Sequence, residues 1–318
     1  MSGKEVLVLV PGACTTVQDR GRRGLLSQGF SPSGSMDQRS AFIANALVGN
    51  TSGCAVLEFA YLGPTLRFEQ PARIALTGAP FGATLDGEPL EAYRTHRVAP
   101  GSVLCVGHAE SGVYGYLAFW GGIGVKPVLG SRSTSMRYGI GGYEGRRLKA
   151  GDRLPLAGAE PPGESTAHLA SHDAYFRWNA LGGRVTTIRV VTPDTAGTVP
   201  WKPLFDRTFA VDAQSDRMGL RLRAGRKAAT PPADLPSEAL AWGAIQVPSN
   251  GDPIVAMADR QTTGGYFKAG TVASVDLPRL AQCRPGTSVR FEPIGVTAAQ
   301  GLFRRDAGYL EHLARRLG

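Results

Sequence analysis

The sequence predicts a mainly β protein organised as two β-rich halves. Three observations lead there. Short apolar or alternating runs recur along the 318 residues, 42 Gly and 22 Pro punctuate them, and long helical patterns are few. Strands spaced this closely form sandwiches or barrels rather than a doubly wound sheet. Val6 to Val10, Thr65 to Phe68, Arg73 to Thr77 and Ser102 to Val106 each end at turn residues. Thr84 to Leu90 carries an Asp86-Gly87 hairpin signal. One helix interrupts the first half: Ser35 with Gln38 reads as a capping box, Phe42, Ile43, Ala46 and Leu47 form an apolar face, and Gly49 follows its end. A second helix, Ala298 to Leu317, is expected to close the chain. Residues 156–183 lose periodicity and contain Pro161-Pro162-Gly163. The expected organisation is a first half over 1–155, a linker over 156–183, and a second half with the terminal helix over 184–318. Residues 226–236 read as an exposed excursion.

Lys and Arg number 35 against 26 Asp and Glu, a formal charge of +9, and only six of the cations are Lys. The positives lie singly or in pairs, and no helix-turn-helix, RNA-recognition or zinc-finger pattern accompanies them. Binding of a small anion is the better use of that charge than nucleic acid. Cys14, Cys54, Cys105 and Cys283 are widely spaced, and the five His form no ligand pattern, so neither a metal site nor a disulfide framework is expected. No signal peptide opens the chain and no apolar run reaches membrane-spanning length, which points to a soluble cytoplasmic protein.

The densest chemistry follows the apolar run Ile254 to Ala258. Asp259, Arg260, Gln261, Thr262, Thr263, Tyr266 and Lys268 arrive there around Gly264-Gly265, with Gln246 upstream. A strand delivering such a mixture through a glycine bend aims side chains at a small ligand; a polar hairpin tip is the plainer alternative. Three further clusters combine glycine with polar groups. Thr15 to Gly24, continuing to Ser31–Asp37, abuts the first helix, where backbone N–H groups suit an anion and an ordinary turn suits equally. Gly130 to Arg146 includes Arg132 and Ser133; it lacks the spacing of a phosphate loop and fits carboxylate or phosphate recognition, or an exposed loop. Asp212 to Arg221 includes Gln214, Ser215 and Arg217, where Asp216 beside Arg217 is either a surface ion pair or part of a ligand clamp. No nucleophile motif is present. Val255-Ala256-Met257-Ala258 lacks the Lys that a biotin carrier requires.

Taken together, these clusters resemble one family. Thr15-Thr16-Val17-Gln18-Asp19-Arg20-Gly21, Ser33-Gly34-Ser35-Met36-Asp37, Leu57-Glu58, Gly130-Ser131-Arg132-Ser133-Thr134, Gln214-Ser215-Asp216-Arg217-Met218-Gly219 and Gly243-Ala244-Ile245-Gln246-Val247-Pro248 through Gly264-Gly265-Tyr266 follow in order. They are similar to the carboxyltransferase subdomain A/B family. That family includes the C component of ATP-dependent 5-oxoprolinases, allophanate hydrolase subunit 2, the corresponding part of urea carboxylase, and a kinase-inhibitor antagonist. The match runs to about Pro293. It departs at Phe267, where the family usually has Pro.

The resemblance implies two cyclophilin-like β-barrel halves with a few short helices and a C-terminal helix. It also implies a subunit 1-type partner (like the B component of 5-oxoprolinase), with an amidohydrolase-like third subunit and ATP at the level of the complex. Phosphorylating the amide oxygen would make the lactam carbonyl attackable by water. The alternatives are a biotin-dependent carboxyltransferase acting on urea or a related amide, with biotin carried by another chain, and a non-catalytic regulatory protein. Substrates of this family present N–H donors beside a carbonyl. Gln246, Gln261 and Asp259 can pair with that edge, with Thr262, Thr263, Gln214, Ser215, Arg132 and Ser133 as further polar contacts. Arg260 or Arg217 can hold a carboxylate, and Lys268 with Tyr266 can stabilise an oxyanion. Lys268, Asp259 and Tyr266 are the expected catalytic set.

Overall fold

The structure is a computed structural model and describes residues 4–158, 167–169, 185–192, 201–225, 231 and 236–317. The expected linker lies largely outside the described residues, as does the excursion at 226–236. The chain divides into two compact units: Met1–Arg23, Ser33–Ala180 and Tyr309–Gly318 form one, and Gly24–Pro32 with Leu181–Gly308 form the other.

The first unit holds β1 (Glu5–Val10), β2 (Thr15–Gln18), α1 (Gln38–Leu47), β3 (Val56–Ala60), β4 (Thr65–Phe68), β5 (Ala72–Gly78), β6 (Phe81–Leu85), β7 (Glu88–Pro89), β8 (Thr95–Val98), β9 (Val103–Ala109), β10 (Tyr114–Phe119) and β11 (Arg153–Pro155). They make a six-stranded sheet, ordered β11-β1-β4-β9-β6-β7, and a five-stranded sheet, β2-β3-β10-β5-β8. Alternation marks the six-stranded sheet: Val6 and Val8 of β1, Leu66 and Phe68 of β4, and Leu104 and Val106 of β9 are buried while their neighbours are not. In the five-stranded sheet β2, β3, β5 and β10 are instead buried throughout. Phe59 and Phe81 meet edge to face in the shared core, 5.0 Å between centroids. The Asp86-Gly87 hairpin forms as expected, both residues taking the positive φ its turn demands, 54° and 88°.

Two polar nodes hold this unit's loops. The cap of α1 is Asp37, not Ser35: the Asp37 carboxylate accepts from the Ser40 N–H at 2.9 Å and the Ser40 hydroxyl at 2.6 Å. Ser35 donates instead to the Asp19 carbonyl, and the Asp side chain two residues on caps the helix. Just before the cap, the buried Glu58 carboxylate accepts from the Met36 N–H at 2.7 Å and the Tyr116 hydroxyl at 2.8 Å, while that hydroxyl oxygen accepts from the Asp37 N–H at 2.7 Å. A carboxylate beside a helix N-terminus is electrostatically favoured. The second node is Asp19, whose carboxylate accepts from the Gly21 and Arg132 N–H groups and from the Ser131 and Ser133 hydroxyls, all within 2.8 Å.

The second unit contains β12 (Val185–Val191), β13 (Thr208–Val211), β14 (Gly219–Arg223), β15 (Glu238–Ala239), β16 (Ala244–Val247), β17 (Ile254–Ala256), β18 (Thr263–Gly264), β19 (Phe267–Val272), α2 (Leu277–Ala281) and β20 (Ser288–Ile294). Seven of these strands close a barrel in the order β12-β19-β16-β17-β14-β13-β20. Closure joins β12 to β20 in parallel, and the other pairs are antiparallel. Val190, Phe209, Leu220, Leu222, Ile245, Val255 and Phe291 are buried within it. α3 (Val296–Leu317) follows, as the sequence predicts for the C-terminus. The described residues are therefore mainly β, with one closed barrel and few helices. Among the described residues, no helix is long and apolar enough to cross a membrane.

Tyr116→Phe leaves the Glu58 carboxylate and the Asp37 N–H short of a partner in a buried place. It is expected to cost about 1–3 kcal/mol, read from urea unfolding at pH 7. The alkaline behaviour has a definite sign. Burial first, then the Glu58 and Asp37 charges, hold the Tyr116 phenol well above its ordinary value of 10.0. The unfolded chain loses that proton first, so stability that is full below about pH 10 falls as pH rises further. The Phe variant should lack this added alkaline loss. Asp19→Ala strands several donors at once and is expected to cost about 3 kcal/mol or more by the same measurement.

Candidate functional site

The barrel sorts the polar residues of the second unit by strand register. β14, β17, β16 and β19 are consecutive neighbours, and Arg221 pairs with Ile254, Ile254 with Gln246, and Gln246 with Lys268. Directly opposed residues point to the same face. The adjacent row, Leu220, Val255 and Ile245, is buried inside, so Arg221, Ile254, Gln246 and Lys268 line up on the outer face. A bulge sets the last step. Ile245 pairs with Gly270 but Gln246 with Lys268, which leaves Ala269 as the extra residue.

An open pocket of about 310 Å³ lies against the Arg221–Ile254 end of this row. Arg221, Gln214 and Tyr266 line it, with Asp212, Asn250 and Asp252; Leu222, Ile254, Pro248 and Pro253 supply apolar wall. The Asp212 carboxylate pairs with the Arg223 guanidinium and accepts from the Gln214 N–H. Tyr266 is 47% exposed. Ser215 is a strut: its hydroxyl donates to the Arg221 carbonyl and accepts from the Arg221 N–H.

Beside the row, β15 and β18 form a two-stranded ribbon. Lys268 reaches Glu238 on this ribbon, ammonium to carboxylate 2.7 Å, the two side chains 30% and 45% exposed. Gly264 lets the ribbon approach Gln246: a Cβ there would lie 2.2 Å from the Gln246 amide nitrogen and would push that side chain aside. The ribbon backbone and the Gln246 amide are thus in direct contact. Thr262 accepts from the Leu240 N–H through its carbonyl, and Gln261 and Thr263 are exposed near the ribbon. Phe267, the departure from the family pattern, packs edge on to Trp201 with centroids 6.0 Å apart.

Three expected ligand contacts are instead buried. Arg217 and Asp259 form a two-bond ion pair, 2.8 and 3.3 Å, each side chain 9% exposed. The Asp259 N–H also donates to the Arg217 carbonyl. Arg260 donates to the Leu240 and Met257 carbonyls, and burial lowers its guanidinium to about 10. These groups fix the turn carrying Gln261 to Gly265. Arg132 and Ser133 belong to the first unit, where the Arg132 N–H and the fully buried Ser133 hydroxyl are held by Asp19, and the Arg132 Nε donates to the Val125 carbonyl.

The structure thus places Tyr266 and Gln214 of the sequence-predicted set in one pocket with Arg221, Asn250 and Asp252, and sets Gln246 and Lys268 further along the same strand row, where Glu238 meets Lys268. Leu220-Arg221-Leu222-Arg223 alternates visibly, so its outward Arg residues carried a sequence signal. Glu238 carried none, because its pairing with Gly264 is long-range. Among the described residues no group of three or more His, Cys, Asp or Glu is placed to hold a metal.

Comparison with known proteins agrees with this architecture. The chain is 36% identical over 311 residues to the 5-oxoprolinase C component of Escherichia coli, covering 98% of each. It is 35% identical over 303 residues to the 5-oxoprolinase C component of Haemophilus influenzae, covering 94% of each. The crystal structure of Kluyveromyces lactis urea carboxylase superposes with a TM-score of 0.88 at 29% identity, over 98% of this chain and 29% of that one. Residues 28–293 match the carboxyltransferase domain, subdomain A and B, and the chain belongs to that family.

Proposed function

We propose that this chain is the C-type component of a heteromeric ATP-dependent 5-oxoprolinase, a cytoplasmic hydrolase that opens the lactam of 5-oxoproline to glutamate. The near end-to-end match to two 5-oxoprolinase C components is the observation that carries this reading. Its partners are a subunit 1-type (B-like) protein and an amidohydrolase-like third subunit. The barrel row supports it chemically. The Gln246 amide offers a donor and an acceptor to the N–H and carbonyl edge of a lactam. Tyr266, at the bend just before β19, and Lys268, on β19, are the groups that would meet negative charge gathering on the carbonyl oxygen as water adds to its carbon. The ring C–N bond then breaks and the nitrogen takes a proton. Lys268 can exchange Glu238 for substrate at little cost, because a half-exposed pair contributes about 1 kcal/mol or less.

ATP supplies the activation of the amide within the complex. Ser131, the Arg132 N–H and Ser133, the donors at the head of the Gly130–Arg146 loop, are already spent on the Asp19 carboxylate, and we assign nucleotide binding to another subunit. A biotin-dependent transfer to urea or a related amide is the second reading, favoured by the close superposition on urea carboxylase. It requires biotin on a different chain.

Reconstitution with the two partners decides between them. ATP-dependent glutamate release from 5-oxoproline should appear, and omission of this chain should abolish it. A well-formed complex with no turnover of 5-oxoproline, but with carboxylation of urea from carboxybiotin, would replace the first reading by the second. Lys268→Met is expected to lower kcat about 100-fold with an unchanged melting temperature. Asp259→Asn should act on stability instead: weakening a buried ion pair costs up to about 3–5 kcal/mol when one charge is left alone. Its loss should appear in urea unfolding before it appears in kcat.

A further inference from the structure

Neither arginine expected to hold a substrate carboxylate is available for it. Arg217 is neutralised by Asp259, and Arg260 is 5% exposed with its donors on backbone carbonyls. The pocket has another cation. Arg221 lines it from the outer face of β14. Its backbone is fixed on both sides by the Ser215 hydroxyl, and its guanidinium has no acidic partner among the described residues. The second arginine of the pocket is already paired, Arg223 with Asp212. Asp252 also lines the pocket with no cation at ion-pair distance among the described residues.

We infer that Arg221 is the carboxylate-holding residue of this pocket, and that the pocket selects a small amide bearing a carboxylate, such as a lactam acid, over a neutral ureide. The inference rests on the reading of the Gln246–Lys268 row as the substrate site. The chemistry is complementary at each end. A guanidinium takes a carboxylate through two parallel N–H donors. Asp252, one oxygen of which accepts from the Ala224 N–H, is an acceptor for the amide N–H, and Ile254 with the two prolines covers ring methylenes. Arg221 and Lys268 stand three strand spacings apart along the row, and it is Tyr266 that lines the pocket with Arg221, so Arg221 is set at the carboxylate end and Tyr266 at the carbonyl end. Urea has no carboxylate and leaves Arg221 unused. The volume, about 310 Å³, lies at the small-ligand end of the ~300–1,000 Å³ range for such pockets.

The test compares 5-oxoproline with 2-pyrrolidinone, the same lactam without the carboxylate. Binding to the full chain is measured by calorimetry, alone and within the reconstituted complex, for wild type, Arg221→Met, Arg221→Lys and the surface control Arg305→Met. Wild type and the control should prefer 5-oxoproline by about 10-fold or more, the worth of a charged hydrogen-bonded contact. Arg221→Met should abolish that preference with an unchanged melting temperature, and Arg221→Lys should restore part of it. Equal binding of the two lactams, binding of neither, or an Arg221→Met chain that still discriminates overturns the inference. The two readings fail separately. Turnover of 5-oxoproline with a KM indifferent to Arg221 removes this inference and leaves the enzyme. Arg221-dependent binding in a complex that never hydrolyses 5-oxoproline keeps the pocket and removes the oxoprolinase.

Discussion

The register of four barrel strands governs everything chemical in the second unit. Closing a sheet on itself leaves each residue one of two faces, and a slip of one position moves a whole strand's side chains to the other face. The single bulge between β16 and β19 places Gln246 opposite Lys268 while Ile245 stays inside opposite Gly270. Without the extra residue at Ala269, the cation and the amide would face opposite ways. The inner row, Leu220 with Val255 and Ile245, resists such a slip because it would expose three buried aliphatic side chains at about 1.5–3 kcal/mol each.

Buried charge in this chain builds framework. Glu58, Asp37 and the half-buried Asp19 each tie together backbone N–H groups or hydroxyls that would otherwise lack partners, and the buried Arg217 and Asp259 neutralise each other. That use explains why the glycine-rich loops look like ligand sites in the sequence. The residue types that cradle an anion also cradle a carboxylate of the chain itself. In the Gly130–Arg146 loop the internal carboxylate has taken the place, so Ser131, Arg132 and Ser133 are spent.

Legibility differed by the range of the interaction involved. The strands around Val6, Leu66 and Leu104 were readable because their alternation is local, as were the Asp86-Gly87 hairpin and the C-terminal helix. The start of α1 was readable to within two residues, and the competition between Ser35 and Asp37 was settled by Asp19, a residue far back in the chain. In the polar cluster, Gln246, Lys268 and Tyr266 were found by their company. Asp259 and Arg260 were found for the same reason, and the structure buries both.

The sequence by itself determined the strand-rich class, the hairpin and helix signals, and the concentration of ligand chemistry between Gly243 and Lys268. Each depends on neighbours within a few residues, whose spacing is fixed by backbone geometry. Only the tertiary structure decided which of those polar groups face outward together. It paired Arg217 with Asp259, set Glu238 on Lys268, and brought Arg221 into line with Gln246 across two strand boundaries. Those partners lie up to 47 residues apart, as Arg221 and Lys268 do, and the hydrogen-bond ladder that aligns them exists only once the barrel has closed.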